Sequence, residues 1–291
     1  MVEGSVAAGI GWGVMAMLLF GSCQVPLKSP AVVAASVDPV VFQCYKTVSC
    51  FTTCWLTLLV VPLRFSWWGV VGAAMWVVNG VMASAAIQRA GIGVAQAIYS
   101  GFSVLVSFLW GAYYFGEPVA HLAGAWASLA VMCVGMATIG LAAALGGQQQ
   151  QAKDADDSAE KYKARAPAAA PALGAGVCLA LYVGFANGSK MVPWKLASLS
   201  LEASGGLKGT EYLVSFGVGS ALCTVWVACG YALALRGLGR PLPPLHLGTA
   251  AGPGLLTGLM WSGGNYCSIR CTEILGLAAG WPLVQAQLLV R

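Results

Sequence analysis

Seven side chains able to hydrogen-bond, carry charge or present a π-face lie inside runs that are otherwise apolar: Gln43, Lys46, Trp76, Asn79, Gln96, Trp261 and Asn265. A primary amide offers donors and an acceptor, and an indole offers a flat apolar face. Together they can replace the water around a polyhydroxylated solute, which is what carrying a sugar or polyol across a bilayer requires. An unpaired amide in lipid is costly, so these groups should face a bundle interior. Each one alone could equally be an interhelical hydrogen bond. Lys46 lies about seven residues, roughly 10 Å, inside the run that begins at Pro39. An ionisable residue at that depth marks function by default, with snorkelling of its stem to the interface as the competing reading. Gln24, Asn187, Gln285 and Tyr99 extend the polar set, whereas Lys190, nearer a helix end, reads as snorkelling. His121 and His246 stand at segment starts with no nucleophile–base or metal-ligand spacing around them. Neither an enzyme, a cofactor nor a metal is expected.

The elements that must position these groups are set by composition. Hydrophobic residues make up 58% of the chain, charged residues 9%, and mean hydropathy is +0.77. A soluble domain carries about 25% charged residues, so the expectation is an integral, multi-pass membrane protein with the lipid bilayer as its partner. The 38 glycines suit close helix approach in lipid. The net charge of +5 comes from scattered Lys and Arg, which argues against nucleic acid. Cys44, Cys50, Cys54, Cys133, Cys178, Cys223 and Cys229 fall in apolar runs and read as small buried hydrophobes. Cys267 and Cys271 have no second pair to make a metal site.

A span needs roughly 20 apolar residues. That ruler places five spans in a first unit, residues 1–145, at Val6–Val25, Pro39–Val61, Trp67–Gln88, Ile92–Phe115 and His121–Leu145. Residues 146–171, with Gln148–Gln151 and a mixed-charge run, read as a polar flexible linker. A second unit, residues 172–291, holds four spans at Ala172–Val192, Tyr212–Leu235, Leu247–Cys267 and Ile274–Val290. Gly21-Ser22-Cys23-Gln24-Val25-Pro26-Leu27-Lys28 returns as Gly188-Ser189-Lys190-Met191-Val192-Pro193-Trp194-Lys195, both reading G-S-x-x-V-P-x-K. Met75–Asn79 returns as Met260–Asn265 with one residue inserted. An odd number of spans per unit makes the copies enter the membrane in opposite directions. The expected fold is an all-α inverted repeat of five-helix bundles, with a tenth span expected beyond Arg291. Gly21 with Pro26, and Gly188 with Pro193, are candidate bends around which the first helix of each unit gates, or terminators at the interface.

Phe20-Gly21-Ser22, Val25-Pro26-Leu27-Lys28, Phe42-Gln43, Trp76 with Asn79, and Phe115-Gly116-Glu117 resemble the transmembrane protein 144 family. So do Gly188-Ser189, Val192-Pro193-Trp194-Lys195 and Trp261-Ser262-Gly263-Gly264-Asn265 in the second unit. These are carbohydrate transporters of the drug/metabolite transporter superfamily, similar to bacterial glucose-uptake and rhamnose transporters. The resemblance implies ten spans, two inverted five-helix repeats, a central site and a cytoplasmic N-terminus. Counting Lys and Arg by alternate loops would instead place the N-terminus outside. The expected activity is secondary transport of a small polar organic solute, a sugar or polyol first, by alternating access. A proton is the candidate coupling ion, and Glu117 is the carboxylate that could titrate, or else a solvated cap. The alternatives are another solute in the same fold, such as a nucleotide sugar, or a non-transporting truncated remnant.

Overall fold

A computed structural model describes residues 5–156, 170–200 and 209–286, and every regular element among them is helical. In chain order these are α1 Val6–Ser22, α2 Pro30–Ala34, α3 Pro39–Cys54, α4 Trp67–Ala90, α5 Ile92–Leu109 and α6 Leu122–Asp156. They continue with α7 Ala170–Gly188, α8 Val192–Ser200, α9 Tyr212–Gly237, α10 Leu247–Leu275 and α11 Leu277–Gln285. Local chemistry sets the boundaries. The Ser5 hydroxyl accepts from Ala8 N at 3.2 Å to start α1, and Asp38 accepts from Val40 N at 2.8 Å to start α3 ahead of Pro39. Gly91 (φ 79°) and Gly276 (φ 78°) occupy left-handed backbone that other residues resist, and they part α4 from α5 and α10 from α11.

Four helical stretches are long and apolar enough to cross a membrane: Trp67–Ile87, Gly93–Tyr114, Gly174–Ser200 and Gly209–Gly237. Large apolar side chains face outward, with Val131, Val225 and Trp226 at 73%, 61% and 82% exposure, while Gln43, Lys46, Asn79 and Gln96 are buried. Polar groups inside and apolar groups outside is the arrangement of a helical membrane protein. The nine expected spans are not all of this kind. Val6–Ser22 and Leu122–Thr138 are apolar but shorter. The α3 helix has 16 residues, and α10, though 29 residues long, carries Thr257, Asn265, Ser268 and Arg270. Packed on α1, α3 and α11, α10 meets protein along much of its length and tolerates polar residues there. The end of the expected ninth span, residues 287–290, lies outside the described residues.

Of the linker expected over 146–171, residues 157–169 lie outside the described residues, and its two ends are helical. Helix α6 runs on to Asp156 and α7 begins at Ala170, with Pro171 in its first turn. Gln, Ala and Lys are good helix formers, so polarity ends the apolar run without ending the helix. Pro26 and Pro193 lie beyond the ends of α1 and α7, each in the first turn of the short helix that follows a break, at residues 23–25 and 189–191, as the terminator reading has it. Proline tolerates the first helical turn, where its missing N–H has no partner to lose.

The packing pairs exchange between the two units. Helix α1 packs on α10 and α11, while α7 packs on α4 and α5; α3 packs on α10, while α9 packs on α4. The Pro26 turn lies on α10, and α8 lies on α4. The correspondence reaches single residues. A Cβ on Gly9 would meet Ile274 and Leu275, and one on Gly176 would meet Arg89 and Ala90. Shifting Gly9 forward to Gly176 and Leu275 back to Ala90, by the spacings that separate the sequence copies, converts one contact into the other. Gly111 meets Ala278 and Ser103 meets Trp281, so α5 and α11 run antiparallel although each follows its own positive-φ glycine. The spacing Gly91 to Gly276 equals that of Trp76 to Trp261, which puts Gly264, not Asn265, opposite Asn79.

These glycines are where the helices touch. At Gly176 a Cβ would come within 2.9 Å of the backbone nitrogen of Ala90, whereas Gly174 has nothing within 4 Å. Gly176→Leu is therefore expected to lower the melting temperature in detergent by several degrees, a cost of about 1–3 kcal/mol for overpacking. Gly174→Leu should leave it unchanged. Equal melting temperatures for both variants would refute the close α4–α7 approach.

Candidate functional site

Where α1, α4, α5, α7, α10 and α11 converge, they enclose a cavity of about 80 Å³. A water needs roughly 10–15 Å³ by this measure, so the space is that of a few waters or a compact solute. Helix α4 contributes Trp76, Asn79 and Ser84, α5 contributes Gln96 and Tyr99, and α3 contributes Lys46. Phe20, Gln24 and Cys23 come from the end of the first helix, Asn187 and Lys190 from the end of α7, and Trp261, Trp281 and Gln285 from α10 and α11. The glycine of the G-S-x-x-V-P-x-K signature is buried at each helix end, and Gly188 lets α7 press on Ser103 and Val106 of α5.

One wall is aromatic. Trp76 and Trp261 face each other at 4.3 Å between centroids, and Phe216 stacks on Trp261 at 5.6 Å and 20°. Both buried lysines lean on this wall. Lys46 Nζ lies 5.4 Å from the Trp76 centroid and donates to Gln43 Oε1 at 2.9 Å. Lys190 Nζ lies 4.3 Å from Trp261, 4.7 Å from Phe20 and 5.1 Å from Trp281. A desolvated cation–π contact is worth about 2 kcal/mol. The cost of burying an ammonium is several kcal/mol, so the rings offset only part of it. The two ion pairs among the described residues are Lys195–Glu117 and Arg270–Glu273, and neither includes a cavity lysine.

The amides are split between structure and opening. Asn79 Nδ2 donates to Asn187 Oδ1 at 2.9 Å, tying α4 to α7, while Asn79 Oδ1 is buried with no hydrogen-bond donor. A buried acceptor without a donor is costly, and the residue that carries it lines the cavity. Of the residues singled out in the sequence, Lys46, Trp76, Asn79, Gln96 and Trp261 meet here. Gln43 does not line the cavity but holds the Lys46 ammonium from one turn away. Asn265 is a correction: it is buried on another side of α10, facing a separate space with Cys50 and Leu213. The inserted residue assumed in the sequence comparison shifted it by about a third of a helical turn. Lys190, expected to snorkel, is instead 8% exposed and in the cavity. Its cue was its place inside the second copy of the glycine–proline signature. Cys178 and Cys229 also depart from expectation, since they sit on the outer surface of apolar helices.

The cavity adjoins a vestibule of about 810 Å³ with which it shares Ser84 and Ile87. The vestibule is framed by Asp38, Pro39, Pro244 and His246, at the starts of α3 and α10. Towards the opposite face, one turn of α11 before Trp281, Glu117 forms a junction. Its carboxylate accepts from Ala278 N at 2.7 Å and from Lys195 Nζ at 2.9 Å, so a residue following α5 caps α11 and binds α8. Glu117 is thus a partnered cap rather than a solvated one.

Comparison with known proteins adds no neighbour: no family model, curated protein or solved structure matches the chain.

The Glu117 junction is testable by pH. Burial alone would push this carboxyl up, but the N–H groups of Leu277 and Ala278 and the Lys195 ammonium outweigh it and hold it below its usual 4.5. A depressed folded-state value stabilises the fold above the unfolded value and ceases to do so as pH falls through the folded value. Glu117→Gln should cost about 1 kcal/mol at pH 7, a few degrees of melting temperature. The gap from wild type should close as pH falls below about 4.5. A gap that is the same at pH 7 and pH 3 would contradict the assignment.

Proposed function

We propose that this chain is a secondary transporter of a small polar organic solute, most simply a hydroxylated one of the sugar or polyol class, working by alternating access. The observation that carries the reading is the cavity itself. Amides, two lysines and a tilted pair of indoles in contact line a small space inside a bundle whose outer faces are apolar. Hydrogen-bonding groups at that depth are expensive, and a solute that uses them gives them a partner in every state. The Asn79 carbonyl, without a donor among the described residues, would gain one from a solute hydroxyl that reached it, and the indole faces suit the carbon face of a ring or chain.

The exchange of packing pairs between the units supports an inverted repeat, in which the halves rock about a site at their shared interface. The vestibule on one side and the Glu117–Lys195–Ala278 junction on the other support one accessible and one closed face. In this reading the breaks after Gly21 and Gly188, each resumed at a proline, are the joints at which the helix ends move. The same function is what the resemblance to the transmembrane protein 144 family implies. The G-S-x-x-V-P-x-K repeat reaches the cavity in both copies, through Cys23 and Gln24 and through Lys190.

Purified protein in liposomes should show counterflow of at least one labelled solute from a panel of sugars, polyols and sugar acids. Asn79→Ala and Trp76→Ala should each reduce initial uptake by tenfold or more, about 1.4 kcal/mol. Cys229→Ser, on the outer surface, should not. Absence of flux for the whole panel, or full flux through Asn79→Ala, would refute the proposal.

A further inference from the structure

We infer that the solute carries a negative charge: the cavity is built for a small organic anion, a carboxylate or phosphate ester on a hydroxylated body. This rests on the transport reading above and narrows its solute class. Two ammonium groups face the same space, Lys46 against Trp76 and Lys190 against Trp261, Phe20 and Trp281. None of the described residues lining it is a carboxylate. The acidic side chains seen to form ion pairs, Glu117 and Glu273, are engaged elsewhere with Lys195 and Arg270.

The contrast between the lysines and their surroundings sharpens the point. A structural lysine in a membrane bundle pairs with a carboxylate or reaches for the interface. Among the described residues Lys46 does neither: at 6% exposure its ammonium donates to an uncharged amide oxygen, that of Gln43, and lies over Trp76. Lys190 does neither: its ammonium sits among three aromatic faces. Rings hold a cation in place without neutralising it, so a positive potential is left in the open space beside Asn79 and Gln96. A monoanion between the two lysines would supply the missing countercharge, and its hydroxyls would meet the amides. A neutral sugar would leave both ammonium groups uncompensated. A divalent cation would be repelled.

The space of about 80 Å³ favours a compact solute in this state of the cavity. Matched neutral and anionic probes separate charge from shape: glycerol against glycerate, and glucose against glucuronate, with glucose 6-phosphate to separate phosphate from carboxylate. Binding to the full chain in detergent, read by calorimetry and by thermal shift, should be at least tenfold tighter for an anion than for its neutral partner. The preference should weaken with added salt. Lys190→Gln and Lys46→Gln should each erase the preference while leaving residual binding of the neutral partner. Neutral probes that bind as tightly as the anions would overturn the anion assignment and leave the transport reading standing. No binding by any probe, together with no counterflow for the panel, would overturn both. The wild-type comparison decides the matter even if a lysine variant fails to fold.

Discussion

The contact between Trp76 and Trp261 is the constraint around which the bundle is arranged. The two residues lie on α4 and α10, and their ring centroids are 4.3 Å apart. Two large rings at that distance leave little room for other side chains, so the helices around them must bring small ones. Gly69 lets α4 approach Ser215 and Phe216, and Gly258 lets α10 approach Lys46 and Ser49. Thr47 and Thr224 then share a hydrogen bond of 2.8 Å between α3 and α9. Polar residues are drawn to this middle because the outer faces belong to hydrocarbon.

Around that centre, positions at matching sequence spacings carry unlike chemistry. The spacing that carries Gly9 to Gly176 also carries Phe20 to Asn187 and Cys23 to Lys190. The Phe20 ring seats against Gly264 in one unit; in the other, Asn187 and Asn79 hydrogen-bond at the matching place. Backbone geometry tolerates this exchange because a phenyl against a glycine and an amide against an amide fill comparable space. The result is a cavity with its amide pair on one side and its phenyl on the other.

The parts of this arrangement readable in the sequence were those with a local signature. Composition gave the class of environment, the G-S-x-x-V-P-x-K copies gave the related helix ends, and the depth of Lys46 from Pro39 gave its burial. Where the reading failed, the deciding contact was distant. Asn265 looked like the partner of Asn79 because both follow a tryptophan, yet the register is set by Gly91 and Gly276, each ending a helix with positive φ. Lys190 looked superficial because it lies near a helix end, but that end is buried by Phe20, Trp261 and Trp281 from α1, α10 and α11. Helix α6 reaches Asp156 past the end of its apolar run, because polar residues end contact with lipid without ending a helix.

Helix α11 begins immediately after a glycine bend and its first amides are taken by Glu117, a side chain from outside its own unit. An axial slide of α11 would pull Ala278 N from its acceptor, whereas a tilt about that end would keep it. The junction therefore acts as a pivot, with α11 as a lever whose arm carries Trp281 and Gln285 along the cavity wall. Small angular changes at the Gly276 bend would translate into displacement of the cavity wall, and the bond at the pivot need not break for that wall to move.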